Sequence, residues 1–347
     1  MALPQTPDSN PSDYIDDEDF IALEIPDDWA GERLDKALAH FLNDYSRNRL
    51  QAWASRGAVL VDGKVVKARQ ILRGGEQIRV FPQEMPEQHA FLPENIPLQC
   101  IYEDDTVLVF NKAAGMVMHP AAGNWTGTVL NGLLFHYPEL QQLPRAGIVH
   151  RLDKDTSGLF VVARTGLAQT ALVRLLQDHA VERRYLAWVW GDTPLRGTIN
   201  AAVGRDQRDR LKMAVINANS SHPSAKSAVT HYKQLALGSF NNTKVSLLEC
   251  RLETGRTHQI RVHLESLGFP LLGDPVYRKK IPAAAKDLSL QRQALHAFAL
   301  EFVHPKTHTP MRWFAPIPSD LLTLNSSVHL SDTVLPNAQS AQLAGDD

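Results

Sequence analysis

Residues 147–162 read "GIVHRLDKDTSGLFVV", which sets His150, Arg151, Asp153, Lys154 and Asp155 directly before a short apolar run. The run, continuing as "GLFVVART", suits a short buried strand. Charged residues packed against its start are either a solvated turn or a site. An aspartate, with a reference pKa near 4, is ionised at neutral pH. Desolvation would raise that value and a neighbouring guanidinium would lower it. An Asp–Arg pair beside an apolar wall can therefore keep a desolvated, nucleophilic carboxylate. An ordinary loop salt bridge satisfies the same residues, and spacing alone leaves both readings open.

The 347 residues suggest about two domains. Cys100 and Cys250 form no CxxC pattern, so a disulfide scaffold is not expected and a reducing cytoplasm fits. The start, "MALPQTPDSN", has neither the basic nor the apolar region of a secretory signal. No apolar run approaches the roughly 20 residues that span a bilayer. The net charge of −2 hides an asymmetry. Residues 1–30 hold nine Asp or Glu and no Lys or Arg, whereas residues 31–80 hold ten Lys or Arg against five acids. An acidic tail joined to a basic module points mildly to nucleic acid, although a solvated tail beside a charged surface reads the same way.

Residues 1–22 are expected to be a disordered tail. In "GERLDKALAHFL", Leu34, Leu38, Phe41 and Leu42 recur with helical period. In "YSRNRLQAWASRG", Ser46 suits an N-cap, Leu50 and Trp53 face inward, and Gly57 suits a C-terminal cap. "AVLVDGKVV" reads as a hairpin turning at Asp62-Gly63, and "GGEQIRVF" as a further strand. The second helix carries Arg47, Arg49 and Arg56, placed to meet a phosphate backbone. The order of "ERLDKAL", "SRNRLQAWASRGAVLVDGKVV" and "ILRGGEQIRV" resembles the S4 RNA-binding domain, giving a unit over 23–81. Four prolines mark 82–98 as a linker.

From residue 99 to 318 the pattern is strand-rich with a few helices. It lacks regular βαβ alternation, so the class is α+β with a mainly antiparallel sheet. "RRYLAWVWG" alternates Tyr185, Ala187 and Val189 against Leu186, Trp188 and Trp190, and the tryptophans read as core. "GLAQTALVRLLQDHAV" is a helix led by Thr165. "RTHQIRVHLESLG" is another, with Ile260, Leu264 and Leu267 on one face. Residues 319–347 are polar and expected to be disordered.

Searches for other chemistry come back empty. His258 and His263 are five apart, not four, and His150 with Asp153 has no clear third metal ligand. "HRLD" resembles the kinase H-R-D, but no Gly-rich loop, strand lysine or D-F-G accompanies it. No phosphate-binding loop or nucleophile elbow is present. Asp153 and Asp155 as a glycosidase pair are separated by a single residue, and their directions cannot be read from sequence.

The opening stretch, extended as "GIVHRLDKDTSGLFVVART", resembles the signature of the RluA-type pseudouridine synthases. "ERRYLAWVWG", "ETGRTHQIRVHLESLGFPLLGDPVY" and "YEDDTVLVFNKAAGMVMHPAAGNWTGTVLNGLL" fit the same family. The resemblance covers about residues 99–318, with the S4-like module in front. It implies an isomerase that breaks the N1–C1′ bond of uridine in RNA, rotates the uracil and rejoins it through C5. It implies no cofactor and no metal, a monomer, and no membrane partner. The implied substrate is large-subunit (23S) ribosomal RNA or a subunit precursor, with the helix 69 stem-loop as the expected target. The same chemistry at other sites of that RNA, or a non-catalytic ribosome-assembly factor on the same fold, are the alternatives.

By the resemblance, Asp153 is the catalytic carboxylate and Tyr185 stacks on the uracil and takes part in removing the C5 proton. Arg261 pairs with the aspartate, and Arg151 enters the space left by the extruded base. Arg256 and His258 are expected to contact phosphate, and Lys112 to be a strand-end charge or a phosphate contact. Gly158 and Gly273 are expected to serve backbone geometry, and the stretch 208–229 to form an unusually long loop.

Overall fold

A computed structural model describes residues 20–83, 89–121, 123–209, 212–216 and 222–330. Residues 1–19 of the acidic segment and 331–347 of the C-terminal one lie outside the described residues. The chain divides into two compact units, residues 1–89 and 90–347.

The first unit contains β1 (Ile21–Glu24), α1 (Leu34–Phe41), α2 (Arg47–Ser55), β2 (Val59–Val61), β3 (Lys64–Val65) and β4 (Gln77–Val80). Its four strands pair in the order β1-β4-β2-β3. Asp62 and Gly63 take left-handed φ values of 49° and 75°, which a tight two-residue hairpin requires. Ser46 caps α2 by accepting the Arg49 N–H at 3.4 Å, and Gly57 follows the helix with φ 80°. Leu34, Leu38, Leu50 and Trp53 form the core with Val59, Ile78 and Val80.

The second unit contains β5 (Gln99–Glu103), β6 (Val107–Lys112), α3 (Val129–His136), β7 (Ser157–Ala163), α4 (Gly166–Gln177), β8 (Glu182–Trp190) and β9 (Arg196–Asn200). It continues with β10 (Val203–Arg205), β11 (Met213–Val215), β12 (Val229–Phe240), β13 (Thr243–Leu252), α5 (Gln259–Ser266), β14 (Leu295–Val303), β15 (Pro310–Phe314) and α6 (Ser319–Ser327). One sheet runs β5-β6-β7-β14-β8-β13-β12-β9, with β15 also on β14. Its ladders are antiparallel except β7 with β14. The class is thus α+β with a mainly antiparallel, mixed sheet.

Strand alternation builds a core on each face of this sheet. Tyr185, Ala187 and Val189 of β8 pack with residues of α3 and α5, while Leu186, Trp188 and Trp190 pack with α6 on the other face. In β7, Phe160 and Val162 join the first core, and Leu159 and Val161 join a third beneath α4. Gly158 lets β7 pass close to β14. A Cβ there would lie 2.2 Å from the Ala297 carbonyl oxygen, and its φ is 115°. Gly273, with φ 70°, faces the Arg292 carbonyl in the same way.

Four expectations change. The first unit begins before residue 23, because Ile21 and Ala22, expected in the tail, open β1 and pair with Val80 and Arg79 of β4. The segment from 319 is not simply a polar tail, because Leu321, Leu324 and Val328 repeat with helical spacing and are buried against the sheet. Its serines and asparagines masked a one-sided helix. The second half of the 82–98 linker packs onto the second unit: Asn131 donates to the Ala90 and Leu92 carbonyls, and Glu94 accepts the Gly127 N–H. Leu267 does not join Ile260 and Leu264, because the helix ends at Ser266 and leaves Leu267 exposed. Among the described residues no helix is long and apolar enough to cross a membrane.

The packing of α6 predicts that Leu321→Ala lowers unfolding stability by about 2–5 kcal/mol, as for buried leucines generally. Leu322→Ala, on the exposed side, should change it by less than about 0.5 kcal/mol. Chemical denaturation checks both, and equal effects would contradict a docked helix.

Candidate active site

Asp153 lies in the turn that leads into β7, and several bonds hold that turn from outside. Thr156 N–H donates to the Asp153 carbonyl at 3.1 Å. The carbonyl of Lys154 accepts from Lys112 Nζ and from the Gly115 N–H, and that of Asp155 accepts from Arg292 Nη1 at 3.1 Å. Lys112 does end β6, as expected, but its ammonium is buried. It donates to the carbonyls of Ala113, Met116 and Lys154 at 2.8–3.0 Å, so it fastens two loops together and does not face a phosphate. Burial pulls its pKa down to about 7, against the opposing charges of Asp155 and Asp153. Arg292 is locked in turn by Asp320 of α6 at 2.6 Å. The C-terminal helix therefore takes part in holding the turn.

Arg261 projects from the first turn of α5. The helix is bolted to the end of the sheet: Gln259 donates to the Val229 carbonyl and Thr230 Oγ1, and His263 bonds Thr230 Oγ1 and the Ala201 carbonyl. These bonds account for His263, one of the His258–His263 pair. The other, His258, has φ 56° at the helix start and bonds the Tyr277 hydroxyl at 2.8 Å through Nδ1. Among the described residues no group of three His, Cys, Asp or Glu is placed to hold a metal ion.

The Arg261 guanidinium, 5% exposed, is shared between two carboxylates. Its Nε and Nη2 donate to Asp274 at 2.7 and 2.9 Å, and its Nη1 donates to Asp153 Oδ2 at 3.1 Å. Asp274 is 0% exposed, whereas Asp153 keeps 14% of its side chain open to the cavity. Asp274 also accepts the N–H groups of Val276 and Tyr277. The Tyr277 ring lies 4.9 Å from the Arg261 guanidinium, and its hydroxyl accepts the Met213 N–H at 2.9 Å. Burial disfavours the charged arginine, but Asp274 and then Asp153 outweigh it and raise its pKa further.

A cavity of about 1120 Å³ brings together Asp153, Tyr185, Arg261, Arg151, Arg256 and His258. Arg151 is exposed at this cavity, and Arg256 Nε donates to the Ser227 carbonyl. Tyr185 is almost wholly buried. Desolvation pushes its pKa up to about 12, with Arg183 opposing and Asp153 adding to the rise. At neutral pH it is a phenol, not a phenolate. The arginines of α2 and of its C-terminal cap belong to the other unit. Arg47 pairs with buried Asp35 at 3.0 Å, Arg49 lies 5.9 Å from the Tyr45 and Trp53 rings, and Arg56 is exposed. Part of the expected long loop is the β10–β11 hairpin, while residues 210–211 and 217–221 lie outside the described residues.

Asp274 was missed by sequence reasoning. The Asp-Pro pair of "GDPVY" signals a turn in which the aspartate caps the following N–H groups, but nothing local shows that the same carboxylate holds Arg261.

His150 gives a pH prediction. Its Nε2 accepts the Val161 N–H at 3.0 Å, and burial, aided by Arg183, lowers its pKa from 6.5 to about 3. The folded chain keeps the imidazole neutral where the unfolded chain protonates it. Its contribution is complete above pH 6.5 and is lost as pH falls toward 3. The stability gap between wild type and His150→Gln should narrow on acidification by about 1.4 kcal/mol per pH unit in that window. Denaturation at pH 4.5 and 7.5 checks this, and a pH-independent gap would contradict it.

With this geometry in place, comparison with known proteins is informative. The RNA pseudouridylate synthase family matches residues 106–266, and the S4 domain matches residues 32–78. The ribosomal large subunit pseudouridine synthase D of Neisseria meningitidis serogroup A is 49% identical, over 96% of this chain and 91% of that protein. The protein of the same name from Pseudomonas aeruginosa is 46% identical over 88% of this chain and 94% of its own length. Among solved structures, human RNA pseudouridylate synthase domain containing 1 superposes with a TM-score of 0.55 at 26% identity, covering 72% of this chain and 95% of that one. The chain therefore belongs to the RluA-type RNA pseudouridine synthases, a family of isomerases, and carries an S4 domain at its N-terminal end.

Proposed function

We propose that this enzyme isomerises uridine to pseudouridine in large-subunit (23S) ribosomal RNA, with the helix 69 stem-loop as its target. The observation that carries the reading is the partly open Asp153 carboxylate, held at 3.1 Å by an otherwise buried arginine in a cavity shared with Tyr185. The relatives named for large-subunit pseudouridine synthesis support the substrate class.

The N1–C1′ bond breaks, the uracil turns in place and a C5–C1′ bond forms. One proton leaves C5 and one is gained at N1, so substrate and product are isomers. Asp153 is the nucleophile or the group that assists loss of the base, and Arg261 keeps its carboxylate oriented. Tyr185 supplies an aromatic face and a hydroxyl that donates a hydrogen bond. Its raised pKa makes it a poor base in the free enzyme, so its contribution is to position the base. Arg151 fills the gap left by the extruded nucleotide and offsets part of the few kcal/mol lost on unstacking. Arg256 and His258 meet the phosphate backbone at the cavity, and Arg47, Arg49 and Arg56 give the S4 unit its own RNA contacts.

The account predicts that Asp153→Asn lowers pseudouridine formation in large-subunit rRNA by at least about 10³-fold, as loss of a catalytic nucleophile does elsewhere. Folding and RNA affinity should be retained. Carbodiimide-adduct primer extension reads the product, and undiminished product from the variant would overturn the assignment.

A further inference from the structure

One cation in the cavity wall has no task in the reaction above. Arg183 of β8 is 6% exposed and lines the same cavity as Asp153 and Tyr185. Its Nη2 donates to the Glu253 carbonyl at 2.9 Å, and its Nε is buried with no hydrogen-bond partner. No carboxylate lies within ion-pair distance of it among the described residues. The adjacent Glu182, whose charge still acts on Arg183, pairs with Arg251, and Glu253 pairs with His231. The neighbouring Arg184, by contrast, pairs with Glu301.

A buried charge left without a counter-charge is strongly destabilising, and bonds from Nη2 to the neutral carbonyls of Glu253 and, at 3.5 Å, Leu252 do not compensate it. Burial pulls the Arg183 pKa below the usual arginine range, with Tyr185 and Glu182 opposing. The adjacent backbone is shaped around this group. A Cβ at Gly255 would lie 2.8 Å from Arg183 Nη1, so any other residue there would press on the guanidinium. His179 bonds the same Glu253 carbonyl through Nδ1 at 2.6 Å, which adds a polar imidazole to this part of the wall.

We propose that Arg183 is an anion-binding residue that takes one phosphodiester of the RNA strand, at the target nucleotide or its immediate neighbour. This rests on the reading of the cavity as an RNA site. Arg183 and Tyr185 stand two residues apart on one strand and point to the same face, a separation of roughly 7 Å along the strand. That is within the span of one nucleotide whose base lies on Tyr185. The phosphate provides the missing counter-charge, and the guanidinium fork provides charge-assisted bonds that a neutral partner cannot match.

The test uses the full chain and synthetic helix 69 stem-loop RNAs, each carrying one neutral methylphosphonate linkage. Affinity is measured for wild type, Arg183→Gln and Arg183→Lys. Wild type should lose about tenfold at one linkage beside the target uridine, the loss expected for one charge-assisted bond. Arg183→Gln should bind the unmodified RNA about tenfold more weakly and be indifferent to that linkage. If the glutamine variant does not fold, Arg183→Lys decides, with the same linkage sensitive but by a smaller factor. The assignment is overturned if no linkage is sensitive in wild type, if the glutamine variant keeps the wild-type pattern, or if the lysine variant shows an unchanged or displaced effect. Pseudouridine formation on the unmodified RNA, followed in parallel, reports separately on the reaction itself, and absence of RNA binding by wild type would sink both.

Discussion

Arg261 is the charge on which the site depends. A guanidinium this deeply buried is unfavourable unless its donors are satisfied, and Asp274 satisfies two of them in a fully buried, two-bond pair. That pair fixes the plane of the fork and leaves Nη1 directed at Asp153. Asp153 is thereby held by a group that cannot swing away, while its own carboxylate stays partly open to the cavity. The arrangement carries one more negative charge than positive before RNA enters, and the exposed Arg151 and the buried Arg183 provide cations around it.

The backbone under Asp153 is held just as firmly. Two buried side chains, Lys112 and Arg292, donate to the carbonyls of the two residues that follow it. Arg292 is held by Asp320, so the helix near the C-terminal end is tied to the Asp153 turn through the Arg292 side chain. The close approach of β7 to β14 at Gly158 sets the strand that the turn enters. Three distant parts of the chain, β6, α6 and the loop before β14, thus converge on one turn. Positioning to well under an ångström is what such chemistry requires of its supporting shell.

Much of this was legible in the sequence, for local reasons. The period-two pattern of "RRYLAWVWG" gave both faces of β8, because a strand between two apolar layers must alternate between them. Asp62-Gly63, Ser46 and Gly57 marked turn and caps, because those residues suit those backbone angles. What stayed hidden was the pairing of charges far apart in the chain. Nothing local distinguishes Lys112 as a buried clamp from a strand-end charge, or links Asp274 to Arg261, since both depend on tertiary contacts. The helix α6 was obscured by composition: its serines, threonine and asparagine lie around a narrow stripe of leucines. The fold places Tyr185 at the cavity, and the direction of its pKa depends on burial, which only the fold reveals.

The central claim is that Asp274, beyond capping Val276 and Tyr277, serves the reaction by holding Arg261 against Asp153. A double-mutant cycle tests it most directly, with kcat for pseudouridine formation measured for Asp274→Asn, Arg261→Met and the pair. The account predicts that the double variant is no slower than Arg261→Met alone, because nothing is left for Asp274 to hold. Losses that multiply would show that the two residues act independently, and would contradict it.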